Sequence, residues 1–368
     1  MWDVRTMRMA ETLVHYSLEI KKGDYVIIRG GEVVTPLIRA VYRAVLDAGA
    51  HPEVMVGLDG LGELFFKHAG DEQLEFVSPL QKAAMSECDV LLSIRGERNT
   101  RSLSGVDPSR QAKRARATAE IQSIFMRRSA EGKLRWCATQ YPTHADAQEA
   151  DMSLDDYADF LFRACRVDED DPVAAWRAVR AEQERIIAVL REVDTLRIVG
   201  EGTDLTLRVG GRPWINCDGR ANFPDGEVFT APIEDSAEGH IRFSFPGIFG
   251  GREIEDIRLE FRAGRVVSAT AARGEELLKA LLASDEGASR LGEIGIGTNF
   301  QVERPTRNML FDEKIGGTIH LAVGAGYPDS GSRNTSGIHW DMLCDLRQGG
   351  EIYGDGKLIY RSGKFTLA

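Results

Sequence analysis

Residues 25–49 read YVIIRGGEVVTPLIRAVYRAVLDAG, and this stretch decides the fold of the first half of the chain. It opens on an apolar, strand-like run and continues to Thr35-Pro36, a pair typical of a helix N-terminus. Apolar residues then recur at helical spacing as far as Gly49, which predicts the end of the helix. The stretch therefore predicts a strand joined to a helix, which is the repeating unit of an α/β domain.

The same alternation continues along the first half of the chain. Further strands are predicted at 53–56, 89–94 and 136–139, with a helical pattern near 79–87. This order predicts an N-terminal α/β domain with a mostly parallel sheet, over residues 1–165. Neither a G-x-G-x-x-G nor a G-x-x-x-x-G-K-[ST] pattern accompanies these strands, which argues against a nucleotide-binding site.

The second half of the chain has a different pattern. Residues 203–209 alternate between polar and apolar side chains, as a half-buried strand does. Ala263-Gly264-Arg265 and Asp355-Gly356 each lie between two strand-like runs and predict β-hairpins. One helix is predicted at about 275–282. Residues 166–368 therefore predict an α+β domain rich in antiparallel sheet, and we expect it to carry a metal site.

Composition excludes several classes of protein. Of 368 residues, 43% are hydrophobic and 28% are charged, a balance typical of a globular protein. The net charge of −11 argues against a nucleic-acid partner and against an anionic membrane surface. No run approaches the ~18 apolar residues of a membrane helix, and the N-terminus lacks the apolar core of a secretory signal. Five cysteines without a C-x-x-C pair favour a reducing, cytoplasmic location.

Imidazole and carboxylate groups recur in strand-like or glycine-rich segments of the second half. His339 and Asp341 share one face of a strand if the segment is extended, because strand side chains alternate. That geometry suits a divalent metal, and it equally suits a histidine hydrogen-bonded to an aspartate. His320 stands inside an apolar run, where a buried imidazole needs a partner. Glu293 lies among glycine and isoleucine, a setting in which a carboxylate indicates a metal or an ion pair.

Two further acidic segments have simple alternative interpretations. Glu227 follows a Pro-Asp-Gly turn, and alone it is typical of an exposed glutamate at a sheet edge. Asp312-Glu313-Lys314 is typical of a solvated charge cluster. Taken together, however, the five segments supply more carboxylates than histidines and no thiolate. That is the ligand mix of a hydrolytic site with two metal ions. A serine hydrolase is not indicated, because G-x-S-x-G is absent.

Four of these stretches, in order, resemble the metal-site motifs of the thermophilic metallo-aminopeptidases, the aminopeptidase T and aminopeptidase S family with its leucyl aminopeptidase-like members. The stretches are 222–232 (NFPDGEVFTAP), 292–299 (GEIGIGTN), 312–327 (DEKIGGTIHLAVGAGY) and 338–342 (IHWDM). Residues 99–108 and 135–153 also resemble that family, so the likeness extends over most of the chain.

The resemblance implies a homodimeric exopeptidase that removes N-terminal residues from small peptides by means of a metal-activated water. It implies a dinuclear site with two divalent ions, of Zn, Co or Mg, among six residues. These metal ligands are Glu227, Glu293, Glu313, His320, His339 and Asp341. As catalytic residues we expect Glu293, bridging the ions or moving a proton, and Tyr327, which would stabilise the oxyanion.

A second interpretation of three of these residues stays open. His320, His339 and Asp341 alone would form a two-histidine, one-carboxylate triad for a single Fe(II). The ring-cleaving dihydroxypyridine dioxygenases look like relatives of this fold and hold one iron. The extra carboxylates Glu227 and Glu293 favour the peptidase, and metal content distinguishes the two.

Overall fold

The computed structural model describes residues 3–249 and 251–366. The chain divides into two compact units, Met1–Val173 with Gly219–Pro224 and Ala174–Asp218 with Asp225–Ala368. We expected a single boundary at 165/166. In the structure the chain leaves the first unit at Val173 and re-enters it once, because a short segment of residues 219–224 adds a strand to the sheet of that unit.

The helices and strands are numbered in chain order within the described residues. The α-helices are α1 (Val4–Thr12), α2 (Thr35–Asp47), α3 (Leu61–His68), α4 (Asp71–Glu75), α5 (Pro79–Glu87), α6 (Pro108–Ala117), α7 (Ala119–Ala130), α8 (His144–Glu149), α9 (Leu154–Ala164), α10 (Pro172–Leu190), α11 (Glu275–Leu282) and α12 (Met309–Asp312). Strands of the first half are β1 (Tyr25–Gly31), β2 (His51–Gly57), β3 (Val90–Arg95) and β4 (Arg135–Gln140). The later strands are β5 (Thr195–Gly200), β6 (Thr203–Arg208), β7 (Ile215–Cys217), β8 (Asn222–Phe223), β9 (Glu227–Thr230), β10 (Glu238–Phe243), β11 (Gly247–Phe249), β12 (Arg252–Ile254), β13 (Ile257–Arg262), β14 (Arg265–Thr270), β15 (Leu291–Gly297), β16 (Thr318–Gly324), β17 (His339–Asp345), β18 (Glu351–Gly354), β19 (Lys357–Arg361) and β20 (Lys364–Phe365).

The first unit contains a five-stranded sheet in the order β2-β1-β3-β4-β8. Its strand pairs are all parallel, which confirms the predicted α/β architecture. Ile27 and Ile28 of β1 are buried, as their apolar run predicts. Helix α2 has Pro36 in its first turn and buries Leu37 and Val41. Local sequence therefore determines this strand-helix unit.

The second unit is built from antiparallel strands. An eight-stranded sheet has the order β14-β13-β10-β6-β5-β18-β19-β20, and a five-stranded sheet has the order β17-β16-β15-β9-β7. Both predicted hairpins are confirmed, β13 with β14 and β18 with β19. Asp355 and Gly356 have positive φ, as the tight turn requires. Among the described residues, no helix combines the length and apolarity needed to cross a bilayer.

The core of the second unit joins the inner faces of its two large sheets. Ile198 and Leu205 from the eight-stranded sheet belong to one buried cluster with Ile294, Ile319 and Leu321 from the five-stranded sheet. Strands β15 and β16 are buried along their whole length. Since their side chains alternate between faces, the residues opposite this core are also enclosed by protein.

Candidate metal centre

Three strands of the five-stranded sheet place the predicted site residues on one face. Glu293 lies on β15, His320 on β16 and Asp341 on β17. His320 and Asp341 each stand between two core residues, and Glu293 is followed by the core residue Ile294. Register aligns Glu293 and Asp341 on either side of Ala322. The small alanine leaves both carboxylates free to extend over the sheet. We call this surface of Glu293, Gly295, His320, Ala322 and Asp341 the polar face.

His320 has its position because of a glycine on the neighbouring strand. Gly295 pairs with His320, and a Cβ atom there would lie 2.0 Å from Cε1 and 2.1 Å from Nε2 of the imidazole. The ring therefore lies against bare backbone. Its Nε2 is 3.1 Å from Glu293 Oε1 and 3.2 Å from Glu227 Oε2. The glycines of the GEIGIG segment thus make room for the imidazole.

Glu227 reaches the same cluster from strand β9, which begins at this residue as the turn predicts. The expectation of an exposed edge glutamate is wrong, because β9 lies between β15 and β7 and Glu227 is only 4% exposed. Gln183 of α10 donates from Nε2 to the Glu227 carbonyl at 3.0 Å and to Thr298 Oγ1 at 3.0 Å. Sequence analysis missed Gln183, since its partners are distant in the chain.

In the segment Asp312-Glu313-Lys314, the outer two residues are buried and Glu313 is partly buried, so its interpretation as a solvated charge cluster is wrong. Asp312 accepts hydrogen bonds from the amide and hydroxyl of Thr306, at 2.7 and 2.9 Å. Lys314 is 1% exposed and donates to both Glu227 and Glu313. The apolar, glycine-rich run that follows Lys314 is the signal that could have revealed its burial.

His339 and Tyr327 lie on the more exposed side of the site. His339 donates from Nδ1 to the Ala325 carbonyl at 2.6 Å, if that nitrogen carries the proton, and its Nε2 lies 3.3 Å from Asp341 Oδ2. The Tyr327 ring stands 5.2 Å from the His339 ring and 5.8 Å from that of Phe229, between centroids. Tyr327 is half exposed, so it can contact a substrate.

The crowding of carboxylates changes the ionisation of the groups around them. Burial disfavours the charged imidazole of His320, but Glu227 and Glu293 outweigh it and raise the pKa to about 9. Burial of His339 is likewise outweighed by Asp341, and its pKa rises to about 10. The site therefore has a strong affinity for positive charge, which protons supply when no other cation is present.

The donor atoms fit a metal ion. Two sets of side chains each offer three ligand atoms within 4.8 Å of one another. The sets are Glu293 with His339 and Asp341, and Glu313 with His320 and Asp341. Within residues 3–249 and 251–366, the buried oxygens Glu293 Oε2 and Asp341 Oδ1 have no hydrogen-bond donor. Buried carboxylate oxygens that accept no hydrogen bond can bind a cation. Carboxylates together with imidazoles are a common set of ligands for divalent metals. The six predicted ligands thus lie together.

Buried carboxylates and imidazoles on a sheet form a set of donors that is typical of metal-dependent enzymes. Comparison with known proteins identifies the class of enzyme. The sequence pattern of the M29 family, described as thermophilic metalloprotease, matches residues 3–365. The chain belongs to this family of metallopeptidases.

Individual relatives agree in length and fold. Aminopeptidase 2 of Geobacillus stearothermophilus is 29% identical, over 100% of this chain and 98% of its own. The solved structure of wild-type AmpT from Thermus thermophilus has a TM-score of 0.85 at 24% identity, covering 99% of each chain. The 2,5-dihydroxypyridine dioxygenase of Pseudomonas putida has a TM-score of 0.60 at 14% identity, covering 99% of this chain and 97% of its own. Both solved structures are less than 25% identical to this chain, and these two similarities show the fold alone.

Proposed function

We propose that this chain is an aminopeptidase that hydrolyses the N-terminal residue from small peptides with the help of divalent metal ions. The observation that carries the proposal is the buried cluster of Glu227, Glu293, His320 and Asp341 in a member of a metallopeptidase family. Full-length relatives such as Aminopeptidase 2 are named for this activity.

The proposed centre would hold two ions, of Zn, Co or Mg, with Asp341 available to both sets of ligands and Glu227 beside His320. Glu293 and His339 would complete one set of ligands, and Glu313 and His320 the other. The two groups of atoms described above, which have Asp341 in common, support this number. Divalent ions at such a site acidify a water molecule and polarise a scissile carbonyl at neutral pH.

Glu293 and Tyr327 are the proposed catalytic residues. Burial raises the pKa of Glu293 although His320 opposes the shift, so this carboxylate can hold a proton nearer to neutral pH than an exposed glutamate. We assign to Glu293 the transfer of a proton from the attacking water to the leaving amine. Burial and nearby carboxylates raise the pKa of Tyr327, which keeps its hydroxyl protonated. That hydroxyl would donate a hydrogen bond to the tetrahedral oxyanion.

We also propose that the protein works in the cytoplasm as a homodimer. All five cysteines are free thiols, and four of them are buried, which is typical of proteins in reducing compartments. The dimer rests on the resemblance to the aminopeptidase family.

Metal analysis followed by a substrate panel tests the proposal. Purified protein is assayed with aminoacyl-p-nitroanilides before chelation, after chelation, and after Zn²⁺, Co²⁺ or Mg²⁺ is restored. We expect activity to disappear with the metal and return with it. The matched control is the same substrate with an acetylated α-amine, which an aminopeptidase does not cleave. Metal-loaded protein that turns over none of the free-amine substrates would rule the proposal out.

The same metal analysis addresses the dioxygenase interpretation. A ring-cleaving enzyme would contain one iron per chain and consume O₂ with dihydroxypyridine. Glu227 lies beside the His320 imidazole, and Glu313 belongs to the same set of potential ligands as His320 and Asp341. The site therefore has more carboxylates than the single one that a two-histidine, one-carboxylate iron triad requires. We therefore favour the hydrolase.

A further inference from the structure

Lys314 is a cation buried inside the carboxylate cluster. Its Nζ lies 2.5 Å from Glu227 Oε1, 2.6 Å from Glu313 Oε1 and 3.4 Å from Asp225 Oδ1. Lysine is almost never buried unless it is paired, and here its partners include two of the proposed metal ligands. The ammonium is therefore a permanent positive charge at the edge of the proposed centre.

The contact with Lys314 divides the two oxygens of Glu227 between different neighbours. Oε1 accepts from Lys314, whereas Oε2 lies 3.2 Å from His320 Nε2. Among the described residues, no donor forms a hydrogen bond with this buried Oε2. Glu227 thus presents one oxygen to the imidazole side of the site while the other is held by the ammonium.

The main chain keeps Lys314 in this position. The Asn299 amide donates to the Lys314 carbonyl at 3.0 Å, and the Lys314 amide donates to the Phe311 carbonyl at 3.0 Å. Gly297 lies so close that a Cβ atom there would be 2.1 Å from the Ile315 carbonyl oxygen. With its backbone fixed and its side chain enclosed, the ammonium stays among the same carboxylates.

A third group of potential ligands surrounds the same point. Cys217, Asp225 and Glu227 offer atoms within 4.8 Å of one another. Lys314 already provides the positive charge for two of these residues. The Lys314 ammonium therefore neutralises the carboxylates of this group, and we do not count the group as a metal site.

We propose that Lys314 is a positioning residue of the metal centre, which holds Glu227 so that only Oε2 faces the ion bound near His320. The inference rests on the proposed function, because it requires that the cluster binds divalent ions. In this arrangement the Lys314 ammonium is a cation that belongs to the protein and lies beside the metal ligands. Outer groups that orient a ligand in this way commonly contribute about 10- to 100-fold to metal affinity.

Metal affinity of the Lys314→Met variant tests the inference. Competition with a chromophoric chelator should show binding weaker by about 10- to 100-fold than in the wild type. The Co²⁺-loaded variant should also show a shifted visible absorption spectrum, because Glu227 would be free to bind through both oxygens. Lys279→Met is the matched control, since Lys279 is exposed and pairs with Glu275 on α11, and its affinity and spectrum should be those of the wild type.

The possible outcomes separate the inference from the proposed function. A folded Lys314→Met variant with wild-type affinity and spectrum overturns the inference alone. A wild-type protein that takes up no divalent ion overturns both. If the variant does not fold, a crystal structure of the metal-loaded wild type decides the matter. We expect Glu227 Oε1 to remain on Lys314 while Oε2 binds the ion, and a Glu227 with both oxygens on metal and Lys314 displaced would contradict this.

Discussion

The two faces of the five-stranded sheet in the second unit share the same strands and have opposite chemistry. On one face Ile294, Ile319 and Leu321 join the apolar core. On the other, Glu293 and His320 lie among further carboxylates, although they are as deeply buried. Apolar burial stabilises the fold at every position, whereas each buried charge opposes it unless a counter-charge is near.

This contrast indicates what each face contributes. The apolar face provides the rigidity that holds the ligand atoms in place. The polar face provides concentrated negative charge, which protonated histidines and Lys314 partly neutralise. Substitutions on the two faces should therefore separate stability from activity.

The largest expected effect is on the polar face. Glu293→Gln should lower kcat by about 10²- to 10⁴-fold, because a proton-transferring group is lost. Thermal stability of the metal-free protein should change little, because the crowded site loses one carboxylate while Glu227 still pairs with the His320 imidazolium. Steady-state kinetics and thermal unfolding measure the two quantities. Glu276→Gln, at an exposed position of α11, is the control and should match the wild type in both. Full kcat in Glu293→Gln with metal bound would remove this residue from the chemistry.

A substitution on the apolar face should give the reverse pattern. Ile319→Ala removes a fully buried side chain next to His320, and we expect it to destabilise the fold by about 2–5 kcal/mol. Metal content and kcat per folded molecule should stay close to those of the wild type at a temperature where the variant is folded. Chemical denaturation and active-site titration provide the measurements. A selective loss of kcat at unchanged stability would show that the two faces are not separable.

The smallest effect, counted for one pH unit and one proton, is the pH dependence of metal affinity. In metal-free protein the pKa values of His320 and His339 are about 9 and about 10, so both rings carry a proton at pH 7. A metal ion binds the neutral imidazole, and binding must therefore release protons. Metal affinity should rise with pH between 6 and 9, by up to about tenfold per unit for each proton released. Calorimetry in buffers of different ionisation enthalpy counts the protons, and an affinity independent of pH would argue against histidine ligands.

Sequence alone predicts the local elements of this molecule well. The strand and helix of residues 25–49 follow from apolar periodicity and the Thr35-Pro36 start, and the hairpin at Asp355-Gly356 follows from its turn residues. Each of these signals lies within a short stretch of chain, which explains why the local sequence pattern is enough to predict the element. The re-entry of residues 219–224 into the first unit is a non-local pairing, and no local pattern reveals it.

The same distinction applies to the site. Alternation along a strand is enough to place His339 and Asp341 on one face. The neighbours of Lys314 depend on strand register and on a turn packed against Gly297, which makes an apparently solvated cluster a buried one. Gln183 joins the site from a distant helix for the same reason.

Anomalous diffraction at the absorption edge of the bound metal tests most directly whether the polar face is a metal centre. We predict metal peaks between Glu293, His320, His339 and Asp341, with ligand oxygen and nitrogen atoms about 2.0–2.2 Å away. Metal-loaded crystals whose peaks lie elsewhere, with the histidines still paired only to carboxylates, would contradict this assignment.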